Sequence, residues 1–132
     1  MGRTTFTAAA ACFVALLGPS IAHSQVSFAQ YLECDPTREA RADTIATEIL
    51  APVLDRLVSE GKLQGFSWLA HGIGGKWKRL GVITGTDLNT VMSAQAELLT
   101  ELQEKHPAEL QELGSICPTH EDYVWNVIVA RP

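Results

Sequence analysis

A chain of 132 residues with 46% hydrophobic residues has enough apolar material for one core and one domain. Its net charge of −5 argues against nucleic acid or anionic lipid as a partner through the overall field. Past residue 24 no run of roughly 18 apolar residues occurs, so no membrane span is expected there.

The first 24 residues read as a secretory signal peptide. Arg3 supplies the positive start, Ala8 to Leu17 the apolar stretch, and Ala22-His23-Ser24 a small-residue cleavage pattern. Cleavage is expected after Ser24, with Ala22 as the other candidate. The mature domain, residues 25–132, is expected to be exported to the periplasm or the extracellular space. The leader removes one basic residue, which takes the charge from −5 to −6. Cys12 leaves with it, so Cys34 and Cys117 remain. A pair in an exported domain is most simply a disulfide. Free thiols are an alternative, as is a metal site built on the C-x-x-H spacing of Cys117 and His120, although no fourth ligand is evident and no metal is expected.

Val26 to Cys34 alternates and predicts a first strand, with Phe28, Gln30, Leu32 and Cys34 on one face and Ala29, Tyr31 and Glu33 on the other. Asp35 and Pro36 then suit the N-cap and first position of a helix. That helix carries Ile45, Ile49, Val53 and Leu57 at four-residue spacing, a broad apolar stripe for packing on a sheet. Pro52 cannot donate to the Glu48 carbonyl, which predicts a kink, and Gly61 suits the C′ position. Phe66 to His71 and Trp77 to Thr84 predict two strands joined by the turn Gly72-Ile73-Gly74-Gly75. Thr86-Asp87 caps a second helix using Leu88, Val91, Met92, Leu98, Leu99 and Leu102, interrupted at His106-Pro107. A short extension from Ala108 ends at Gly114, and Asp122 to Ala130 predicts the last strand. The order β-α-β-β-α-β is that of the ferredoxin-like α+β sandwich. In that topology the end of the first strand lies beside the start of the last, which brings Cys34 and Cys117 together.

The stretch Ala51-Pro52-Val53-Leu54-Asp55 leading to Glu60-Gly61-Lys62-Leu63-Gln64-Gly65-Phe66-Ser67-Trp68, set in this element order, resembles the dimeric α/β-barrel superfamily. That superfamily includes NIPSNAP-like, EthD-like and antibiotic-monooxygenase-like proteins, and the likeness is to exported members with no assigned role. The resemblance implies a homodimer in which two sheets face each other. The apolar character of both faces of the last strand (Trp125 and Val127 on one, Val124 and Ile128 on the other) points the same way.

The superfamily's cofactor-independent oxygenases use an Asn, a Trp and a His around a buried pocket. This chain offers Trp68 and His71 but no asparagine in its first strand, and alternation places those two on opposite faces. Tyr31 is expected on the sheet face turned away from the helices. Tyr31, Trp68, His71, Tyr123 and Trp125 are thus the ligand-binding candidates. Lys76, Lys78 and Arg79 read as a solvated hairpin edge, and Glu97, Glu101, Glu104 and Glu109 as an exposed helix face with a Glu101–Lys105 pair. No G-x-G-x-x-G, G-K-[ST], G-x-S-x-G or H-E-x-x-H occurs, and no cofactor is expected. Two functions fit. One is a non-enzymatic exported dimer that binds a small apolar or aromatic ligand, or a partner. The other is a cofactor-independent oxygenase or isomerase-like enzyme, which would need His71, Tyr31 or Tyr123 to converge on one cavity.

Overall fold

The architecture is organised around β1 (Gln25–Glu33), the first element of the computed structural model, which describes residues 25–129. The expected signal peptide lies outside those residues, as does Ala130. β1 pairs antiparallel with β3 (Arg79–Gly85) on one side and with β4 (Thr119–Val127) on the other. β2 (Gly65–Ala70) extends the sheet beyond β3, giving the order β2-β3-β1-β4. Helices α1 (Glu39–Ile45), α2 (Ala51–Ser59), α3 (Leu88–Lys105) and α4 (Pro107–Ile116) complete a ferredoxin-like α+β fold.

Alternation along β1 divides the sheet into two unlike faces. Val26 and Phe28 are buried against Leu54 and Leu57 of α2 and Val91, Leu98 and Leu102 of α3. Leu32 enters a second cluster with Cys34, Ala42, Ile45, Ile116 and Cys117. This cluster is closed by the Cys34–Cys117 disulfide, with Cα atoms 4.0 Å apart. Both expected half-cystines therefore meet where the topology places them.

Five local readings need correction. Asp35 does not cap a helix: its carboxylate accepts from the Thr37 N–H and hydroxyl, making an Asx turn that delays α1 to Glu39. Pro52 produces no simple kink, since a π-helical turn over Ala46–Leu50 absorbs the lost hydrogen bond just ahead of α2. β3 starts at Arg79 instead of Trp77, because its ladder with β2 ends at the Ala70–Arg79 pair and the glycine turn has already swung Trp77 out of register. Gly114 does not stop α4, which runs on to Ile116 and hands the chain directly to Cys117. β4 lies three residues earlier than expected, at both ends. The disulfide sets Thr119 opposite Glu33, and β1 offers no partner beyond the Gln25–Val127 pair.

Other punctuation is as read. Gly61 has φ 73° and closes α2 in a Schellman motif, with Gly61 N–H donating to Val58 and Lys62 N–H to Leu57. Gly74 and Gly75 also have positive φ in the β2–β3 turn. Asp87 caps α3 by accepting from the Thr90 N–H. At Gly85 the reason is packing: a Cβ there would stand 2.7 Å from Val91 Cγ2.

Candidate functional site

Helix packing over the sheet leaves a cavity of about 270 Å³ between β1, β2 and β3 on one side and the helices on the other. Phe28, Phe66, Trp68 and Ile83 line it from the sheet, Leu54 and Leu98 from the helices. The π-helical turn contributes Ala46, Thr47 and Leu50, so the segment that accommodates Pro52 also shapes the cavity wall. Gly81 forms part of the floor, and a Cβ added there would sit 3.7 Å from the Trp68 ring, an ordinary contact. The lining contains no Asp, Glu, Lys, Arg or His. Its polar residues are Gln30, Thr47, Ser67, Trp68 and Gln95, of which Ser67 alternates to the open side of the sheet.

One end of the cavity is pinned by an ionic cluster. Arg79 is 7% exposed. Its Nε and Nη2 donate to the two carboxylate oxygens of Asp43 at 2.6 and 2.7 Å, and its Nη1 donates to Glu39 at 3.1 Å. The Trp68 indole N–H also donates to Asp43, at 2.8 Å. The Arg79 hydrogen bonds, helped by the Trp68 N–H, hold the Asp43 carboxyl below the usual range against the opposing effect of burial. The bidentate Asp43 contact likewise raises Arg79. Arg79 is therefore a buried structural cation, not a member of a solvated hairpin edge. Its location was implicit in alternation, which put it on the face opposite Lys78, and Glu39 and Asp43 stand four apart on the helix that covers that face.

The opposite sheet face has no covering layer among the described residues. Tyr31 stands there, as expected, with its ring perpendicular to Tyr123 at 5.5 Å and at a steep angle to Trp77 at 6.3 Å. Trp125 continues the row at 6.0 Å from Tyr123. Lys76 Nζ lies 4.2 Å from the centroid of the Trp77 ring. The Tyr123 hydroxyl donates to Glu121 at 2.6 Å, which raises its pKa above the usual tyrosine value. A second concavity, also about 270 Å³, runs from Tyr31 and Leu80 to His71, Trp77 and the turn glycines.

The five sequence candidates thus divide. Tyr31, Tyr123 and Trp125 share the open face, His71 borders it, and Trp68 alone reaches the cavity beneath the helices. The expected surface acids are more organised than the sequence suggested. Arg56 donates to Glu60, Glu97 and Glu101, and Lys62 donates to Glu97, joining α2 to α3 across their exposed edge. Sequence reasoning missed Asp43, Arg79 and Gln95. The last had a signal, since it sits inside the Val91–Leu98–Leu102 stripe of α3.

Fold and site together define a ferredoxin-like α+β domain with a charge-free cavity on its helical side and an aromatic open sheet. Solved structures with the same fold include a NIPSNAP family protein from Agrobacterium tumefaciens, at 14% identity and TM-score 0.59, covering 80% of this chain and 87% of that one. A dimeric ferredoxin-like protein from an uncultured marine organism matches at 21% identity and TM-score 0.58, over 82% of this chain and 98% of its own. SnoaB, a cofactor-independent oxygenase from Streptomyces nogalater, matches at 14% identity and TM-score 0.58, over 82% and 97%. No protein-family model matches the chain, and neither does any curated protein. The similarity bears out the ferredoxin-like α+β fold.

Proposed function

We propose that this chain is an exported, non-enzymatic domain that binds a small apolar or aromatic ligand in the cavity between sheet and helices and works as a homodimer. The observation that carries the reading is the cavity lining. It is apolar and free of titratable side chains, whereas His71, Tyr31 and Tyr123 belong to the other side of the sheet. Oxygenase-like chemistry, the alternative, has only Trp68 of its expected residues at the cavity, and that indole N–H is committed to Asp43. Dimerisation is supported by the open face, where Leu69, Tyr123 and Trp125 are each about half exposed, and by structural neighbours described as dimeric. Export rests on the character of residues 1–24.

The test uses protein expressed with its leader and recovered after export, whose N-terminal mass reports whether cleavage occurred and where. Sedimentation should give twice the mass of one chain. The fluorescent probe N-phenyl-1-naphthylamine should bind saturably and lose affinity in Gly81→Leu, whose side chain grows into the cavity without a backbone clash. Absence of probe binding, or equal binding by Gly81→Leu, would overturn the ligand reading, and a clean monomer the dimer.

A further inference from the structure

Resting on that reading of the cavity, we infer that it selects an uncharged ligand with an apolar ring body and one group able to donate and accept a hydrogen bond, and that Gln95 reads this group. Of the five polar residues at the lining, Ser67 alternates with Phe66 and Trp68 and so turns its hydroxyl to the open sheet face. Three of the other four are already engaged. Thr47 donates to the Asp43 carbonyl at 2.8 Å, Trp68 donates to the Asp43 carboxylate, and the Gln30 amide nitrogen donates to Asp122 at 3.1 Å. Gln95, half-buried on α3, commits its side-chain amide to no partner among the described residues. It therefore presents both a carbonyl oxygen and an NH₂ group to whatever enters.

The surroundings restrict the complement. A charged ligand group would be desolvated by an apolar wall with no counter-ion, because no charged side chain lines the cavity and Arg79, the cation of the cluster at its Trp68 end, is already committed to Asp43 and Glu39. A ligand with no polar group would leave the Gln95 amide covered and unpaired, which costs affinity. A hydroxyl or primary amide on a planar ring meets both conditions. Phe28, Phe66 and the Trp68 ring supply flat walls for such a body.

Three matched probes separate the possibilities by titration calorimetry on the exported protein: naphthalene, 2-naphthol and 2-naphthoate. The expected order is 2-naphthol tightest, naphthalene about tenfold weaker, the scale of one hydrogen bond to an otherwise unpaired amide, and 2-naphthoate weakest. Gln95→Leu should bring 2-naphthol to the level of naphthalene while leaving naphthalene unweakened, and Gln95→Met, closer in shape, should do the same if the leucine variant folds poorly. Equal binding of naphthol and naphthalene, preference for naphthoate, or retention of naphthol selectivity in both variants would overturn the role of Gln95 and leave the cavity reading in place. If none of the three binds, the cavity reading itself fails.

Discussion

Reducing the Cys34–Cys117 bond should remove a large part of the stability of this domain. The two half-cystines are 83 residues apart, so the crosslink keeps most of the unfolded chain in one closed loop. Chain-entropy arithmetic for a loop of that size gives about 4.5 kcal/mol at 25 °C. A domain of this length has a total of only about 5–15 kcal/mol. Both cysteines are buried in the cluster with Leu32, Ala42, Ile45 and Ile116, which keeps thiols in the reduced form packed and makes the two redox states comparable in their folded contacts. The measurement is urea unfolding followed by tryptophan fluorescence, on protein kept oxidised and on protein reduced while unfolded and held in reductant. With an m-value of about 1.5 kcal/mol/M, the midpoint should fall by about 3 M. The oxidised form should also show the smaller m-value, because its crosslinked unfolded state exposes less surface. A midpoint shift below about 1 M would refute the reasoning, since it would mean that the unfolded chain already holds these ends together or that the bond strains the fold.

Gly85→Ala should destabilise the domain by about 1–3 kcal/mol, because the new Cβ would stand 2.7 Å from Cγ2 of the fully buried, β-branched Val91; a thermal midpoint equal to wild type would show that α3 shifts freely. Stability should also fall in acid. The folded-state pKa values of Asp43, Glu60, Glu97 and Glu101 are lowered by their Arg and Lys partners. Their contribution is therefore present above the unfolded carboxylate values, about 3.9 for Asp and 4.3 for Glu, and is lost as pH drops through the lower folded values. Urea midpoints should be flat from pH 7 to about 5.5 and decline below about 4.5, less steeply in Glu101→Gln; a midpoint that rises on acidification would contradict the sign.

Strand order and the cysteine pairing were legible because they follow from element order alone. Once β1 is central, Cys34 at its end and Cys117 ahead of β4 have to be neighbours. Tyr31 was legible for a similar reason: alternation sets it opposite Phe28 and Leu32. Boundaries that depend on partners were not. β4 looks equally strand-like from Thr119 to Val129, and only the length of β1 and the disulfide select Thr119–Val127. Arg79 was misread because a basic residue beside two lysines at a glycine turn resembles solvated sequence. Its burial depends on Asp43 and Glu39, which come from a different element. Gln95 was passed over within a leucine-rich helix, although a glutamine on the buried stripe is the kind of local inconsistency that marks a site.

The π-helical turn sets how many residues the first helical layer must contain. On a regular helix Ile45 and Val53 would point about 80° apart. One extra residue taken up by the turn removes about 100° of rotation and returns both to the sheet side, where they are buried. The four-residue spacing of Ile45, Ile49, Val53 and Leu57 is thus a record of an insertion, since it suits a turn wider than the α-helix. Deleting one residue between 46 and 50 would straighten the helix and turn Val53, Leu54 and Leu57 away from the sheet together. Length variation between related chains should therefore avoid this segment unless the stripe changes with it, and should collect instead in the Gly72–Gly75 turn.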